Sequence, residues 1–242
     1  MIGITVIYVN MLIIKENANA RKEAIMPNWC FNEMEVWKDD TTIAEDEFKV
    51  FKSVHNLDKG DKLDFEICHP MPETMKITSG TSTEDAMMLL KAYNEDYKEI
   101  DERMEWPRYK DTIKGKRTLK TKRKAIMKEL ENKLDKKDME EGQMALMNIE
   151  KHGFQSWYEW SIANWGTKWN ACAVVIHNCD DDFVSIYFET AWSPPDGWYR
   201  MLFKKFPNLC FKIKITEESD AYMGYIVGNK GHYSEEFATN PL

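Results

Sequence analysis

The sequence predicts an α+β fold: a β-α-β-β-α-β plait with an added C-terminal strand and a long helical insertion. Two observations carry that prediction. Short runs with strand-like apolar patterning fall near 28–37, 62–72, 171–190 and 209–228, with helical spacing at 42–55 and 194–206. From about residue 73 to residue 153 long helical stripes replace them. The expected organisation is an N-terminal extension over 1–25, a plait built from 26–72 and 154–242, and a helical insertion over 73–153.

The elements follow in order. "NWCFNEMEVW" (28–37) places Trp29, Phe31, Val36 and Trp37 in a β-rich run. Thr42 and Glu45 have capping-box spacing, and Ala44, Phe48, Phe51 and Val54 then mark a helix. "KLDFEICHPMP" (62–72) reads as a strand stopped by Pro70 and Pro72. In the insertion, Ser82 and Asp85 read as a capping pair. Ala86, Leu89, Leu90, Tyr93, Tyr97, Ile100 and Met104 continue as one stripe. A second long helix, continuous or broken near Gly142, carries Leu119, Ile126, Met127, Leu130 and Leu134, with Gly153 as its stop.

The plait then resumes. Ser156 and Glu159 cap a short helix that Gly166 ends. "ACAVVIH" and "FVSIYFETAW" flank the acidic turn Asp180–Asp182 as a hairpin. "SPPDGWYRMLFKKF" opens a helix, with Ser193 as N-cap, whose buried face is Trp198, Leu202 and Phe206. "LCFKIKIT" and "AYMGYIVG" form a second hairpin.

Composition narrows the class. Apolar residues make up 43% of 242, enough for a packed core. The apolar run over 2–14 is too short and interrupted for a spanning helix, and it lacks signal-peptide flanks. Five Cys with no C-x-x-C pair point to free thiols in a reducing cytosol. Arg108–Lys124 holds nine basic residues and one acid, Asp111, so this segment carries about +8 within a chain of net −8. An oriented electrostatic contact is one reading of such a stripe, and a solvated helix entry is the plainer one.

Three stretches resemble a known family. "MPNWCFN" (26–32), "NWGTKWNA" (164–171) and "FETAWSPPDGW" (188–198) occur in the order found in the YubB-like family of phage and plasmid proteins. The resemblance spans about Met26 to Tyr225 and implies a ferredoxin-like domain in an accessory protein of a mobile element. Family members begin at a methionine matching Met26, so residues 1–25 are either an upstream-start artefact or an extra element. The family carries no catalytic residues to transfer, and the insertion is its variable region.

The residues themselves do not spell out an enzyme. Neither a Walker-type nor a dinucleotide-binding glycine loop is present. His55, His69, His152, His177 and His232 are scattered without ligand spacing, so neither a metal nor a cofactor is expected. Two contact surfaces remain. One is an aromatic turn, Trp165, Lys168, Trp169, Asn170 and Trp192, suited to stacking a base, a nucleotide or a partner's side chain. Filling the ends of the sheet is the favoured role for its rings. The other is the basic stripe Lys116, Arg117, Lys120, Lys122, Arg123 and Lys124, suited to phosphates or an acidic groove. The expected function is therefore a non-enzymatic protein, in a bacterial host's cytoplasm, that binds and modulates a host protein or protein complex. Counter-defence is the setting the resemblance implies. Nucleic-acid binding through the stripe and nucleotide sequestration at the Trp turns are the alternatives. No membrane partner is expected, and the oligomeric state is left open.

Overall fold

A computed structural model describes residues 28–38, 41–57, 60, 62–219, 222–229 and 232–239; the extension predicted over 1–25 lies outside them. Along the chain run β1 (Trp29–Lys38), α1 (Thr42–Val54), α2 (Thr81–Tyr93), α3 (Lys98–Arg103), α4 (Pro107–Lys110) and α5 (Leu119–Lys133). Then come α6 (Lys136–His152), α7 (Trp157–Asn164), β2 (Cys172–Cys179), β3 (Phe183–Ala191), α8 (Asp196–Lys205), β4 (Leu209–Glu217), β5 (Tyr222–Asn229) and β6 (His232–Thr239). The fold is α+β. The described residues divide into two compact units, one holding those up to Asp64, Trp169–Pro195 and those from Leu202 on, the other Phe65–Lys168 and Asp196–Met201.

The first unit is an antiparallel sheet of order β2-β3-β1-β4-β5-β6. Its first four strands have the arrangement of a ferredoxin-like plait, with β5 and β6 added beyond β4. Alternation decides what each strand buries. Cys30, Asn32, Met34 and Val36 of β1 point to one face, with Val184, Ile186 and Phe188 of β3 and Phe211, Ile213 and Ile215 of β4. Helix α1 covers that face through Phe51, whose ring meets Phe206 at 5.4 Å and Phe211 at 6.1 Å. Phe203 lies 4.8 Å from Phe211. The opposite face carries Phe31 stacked on Tyr187 at 6.4 Å, the pair Lys214–Glu33 at 3.0 Å, and exposed Met223, Tyr225 and Val227.

Two sequence expectations about the plait differ from the structure. The 62–72 segment is no strand. Phe65–Ile67 and Glu73–Met75 are 3₁₀ turns, because Pro70 and Pro72 cannot donate to a ladder and Phe65 is buried among rings instead. The plait's second strand is β2, and two strands rather than one are added after β4. The polar "HYSEEFAT" of β6 shows no period-two apolar signal and pairs through its backbone along β5. Two helix starts also shift. Thr41, not Thr42, caps α1, and α8 begins at Asp196 rather than beside Ser193, whose carbonyl accepts from Thr190 Oγ1 at 2.9 Å.

The second unit is helical. Its core joins Met88, Leu89 and Ala92 of α2, Ile100 of α3, Met104, Tyr109 of α4, and Ile126 and Leu130 of α5. The expected single helix through Met104 is broken after Tyr93, where Glu95 adopts φ +65°. The second break falls at Leu134–Asp135, where Asp135 and Asp138 form a capping box, and not at Gly142. Gly142 sits inside α6, where an added Cβ would come within 2.5 Å of Ala86 Cβ. Gly153 ends α6 at φ +81°, as its position suggests.

Candidate functional site

The aromatic turn is divided between the two units. Trp165 belongs to the helical unit and is buried. Its ring lies edge-on to Phe65 at 5.8 Å and Trp160 at 5.5 Å, and its indole N–H donates to the His69 carbonyl at 2.8 Å. A fully enclosed indole with its donor satisfied is a structural plug. Lys168, in the same unit, carries its ammonium 5.5 Å over the Tyr158 ring. The backbone N–H of Trp198 donates to the Trp165 carbonyl at 3.1 Å, and the Trp198 ring packs 4.4 Å from Phe65.

The sheet unit holds the rest. Asn170 donates to Asp64 Oδ1 at 2.7 Å and accepts from the Ala171 N–H at 2.9 Å, so its amide braces the entry to β2. Trp169 is half-buried with its ring 6.2 Å from Trp29. Trp29 faces Ala191 across the ladder, and the Trp192 N–H donates to the Asn28 carbonyl at 2.8 Å. Asn32, fully buried, donates from its amide to Thr190 Oγ1 at 3.2 Å. Within this unit Asn28, Trp29, Trp169, Ala191 and Trp192 thus meet at one end of the sheet. There Trp192 is 51% exposed and adopts φ +74°. A bulky residue in the left-handed region is uncommon and costs on the order of 1–2 kcal/mol.

The basic stripe divides as well. Arg123 is spent internally: it forms a two-pronged pair with Asp101, with Nε 2.8 Å from Oδ1, and lies 4.5 Å over Tyr97. Arg108 is likewise turned to Asp85. Lys110, Lys114, Lys116, Arg117, Lys120, Lys122, Lys124 and Lys128 form no ion pair among the described residues. Lys116, Lys124 and Lys128 line an open groove of about 670 Å³ along α5, with Thr112, Thr121, Ala125, Glu129 and Asn132. Glu129, its one acid, accepts from the Thr112 hydroxyl. Lys128 and Asn132 fall outside the 108–124 window, and only their helical spacing from Lys124 and Thr121 could have found them.

The described residues include no group of three or more His, Cys, Asp or Glu placed to hold a metal ion. The acidic turn is answered by lysines, Lys38 at 2.9 Å from Asp182 and Lys52 at 3.9 Å from Asp181. Burial pushes the Tyr187 hydroxyl pKa well up, and the Glu189 carboxylate it donates to at 3.1 Å adds to the rise. No helix among the described residues is long and apolar enough to cross a membrane.

No curated protein matches the chain. The crystal structure of protein api92 from Yersinia pseudotuberculosis is similar at 11% identity and a TM-score of 0.36, over 89% of this chain and 100% of that one. Residues 164–239, from the end of α7 through β6, match the family model described as the ferredoxin-like domain in Api92-like protein.

Proposed function

We propose that the protein is a non-enzymatic accessory protein of a phage or plasmid that binds and modulates a host protein, and that its docking anchor is Trp192. The observation that carries the reading is the conformation of this residue. A large ring stands half exposed on a left-handed backbone, fastened by the Trp192 N–H to Asn28 carbonyl bond. Strained backbone under an exposed aromatic suits a presented anchor, because a ring needed only for packing would be turned inward. Tryptophan is also the residue type most enriched among interface hot spots. The mobile-element setting and counter-defence come from the family resemblance of the stretches that surround it.

The test uses the whole chain as bait in bacterial lysate, wild type beside Trp192→Ala, with quantitative recovery of bound proteins. A host protein retained by the wild type and lost with Trp192→Ala supports the reading. A profile unchanged by the substitution sinks it. Nucleotide sequestration at the same rings would instead show as quenched Trp fluorescence and a ligand-dependent rise in melting temperature.

A further inference from the structure

We infer that the helical unit carries a second, independent binding surface: the groove along α5 takes the phosphate backbone of a nucleic-acid duplex without reading its sequence. The first ground is charge left unanswered. On α6, Lys136 lies 3.2 Å from Glu140 and Lys137 3.7 Å from Glu141. Lys116, Lys124 and Lys128 in the groove, and five further cations between 110 and 122, have no such partners among the described residues, although the chain as a whole is net −8. Like charges so crowded repel one another, a cost that a bound polyanion removes.

The second ground is spacing. Lys120, Lys124 and Lys128 recur every fourth residue of α5, a rise of about 6 Å per step. A duplex strand advances about 3.4 Å per phosphate, so successive lysines meet roughly alternate phosphates. The third ground is the chemistry of the lining, which chooses between anionic partners. Protein interfaces are anchored by aromatic and other large apolar side chains. This groove offers three Lys, two Thr and Asn132 against one acid, Glu129, whose carboxylate accepts from the Thr112 hydroxyl, with Ala125 its one apolar residue. Polar, strongly positive surfaces are what phosphate backbones meet. With no ring in the lining, bases of a single strand have nothing to stack on. Lysine point charges, unlike arginine forks, give positioning without base readout.

The experiment measures binding of the full chain to a mixed-sequence DNA duplex, the equivalent RNA duplex, oligothymidine and polyglutamate across salt concentrations. Duplex affinity should fall about a thousandfold between 50 and 200 mM salt if about six phosphates are contacted. The variant K116Q/K124Q/K128Q should lower the log–log salt slope by about 2.7, because each lost contact removes about 0.9. These lysines are exposed and unpaired, so its melting temperature should match the wild type. A charge-matched variant, K49Q/K151Q/K204Q, should keep the wild-type slope. Binding to either duplex in this pattern supports the proposal, and comparing the two identifies the backbone. Absence of duplex binding at about 50 mM salt overturns it. So does tighter binding to polyglutamate or oligothymidine, or an equal slope loss in both variants. Because Trp192 is untouched in every arm, these outcomes are independent of the host-protein test.

Discussion

Arg108 donates to Asp85 across 2.6 Å, and that bond is one of three that converge on a carboxylate with no solvent exposure. Arg103 reaches the same oxygen at 3.1 Å and Lys133 reaches the other at 2.9 Å. One residue of α2 thereby ties together α3, α4 and α5. Asp85→Asn keeps the shape and removes the charge, leaving three cations facing one another. Removing one partner of a buried pair costs about 3–5 kcal/mol, and the partial exposure of these cations favours the lower end. A thermal melt should show that loss, and a stability within about 0.5 kcal/mol of wild type would refute the hub.

Gly197 is set by close approach, not by backbone freedom. An added Cβ would stand 2.1 Å from the Asn164 carbonyl oxygen, where the Trp198 N–H already meets the Trp165 carbonyl. Gly197→Ala must push two backbone segments apart, and overpacking of this kind costs about 1–3 kcal/mol. Chemical denaturation measures it. An unchanged midpoint would mean that α8 does not start against α7 as described.

His55 makes the sheet unit sensitive to acid. It is buried between Phe51 at 5.0 Å and Phe206 at 6.5 Å. Desolvation, helped by the Lys205 charge, pushes its pKa down from 6.5 to about 4. The unfolded chain therefore binds the proton first. The neutral imidazole's contribution is complete above pH 6.5 and is lost as pH falls towards 4, by about 3 kcal/mol in all. Stability measured across that window should show the step, and His55→Leu should flatten it. A step of equal size in the variant would assign it to other groups.

Trp192 separates folding from binding. Trp192→Gly relieves the left-handed backbone, so the melting temperature should hold or rise, by on the order of 1 kcal/mol in stability. Host-protein recovery should nevertheless be lost. A clear fall in stability would make the ring a packing element instead of an anchor.

Much of the fold was legible because its signals are local. The alternation in 28–37 and 183–191, the Ser156–Glu159 capping box and the stop at Gly153 each depend on residues within a turn or a strand of one another. Where the reading failed, a distant partner decided. Ser82 and Asp85 have capping spacing, yet α2 starts at Thr81 after Gly80 and Asp85 turns inward to cations 18, 23 and 48 residues away. Phe65 has the neighbours of a strand residue, yet it packs edge-on to Trp165 and against the Trp198 ring, a hundred or more positions further along.

The candidate sites divide along the same line. By itself the sequence determined that aromatic turns and a basic stripe exist, because composition and spacing are properties of the chain. Only the tertiary structure decided which members are available. It enclosed Trp165 and left Trp192 exposed, and it neutralised Arg123 on Asp101 while leaving Lys116 and Lys124 unpaired beside Lys128. Burial and ion pairing depend on groups brought together from far along the chain, and a linear pattern carries no record of them.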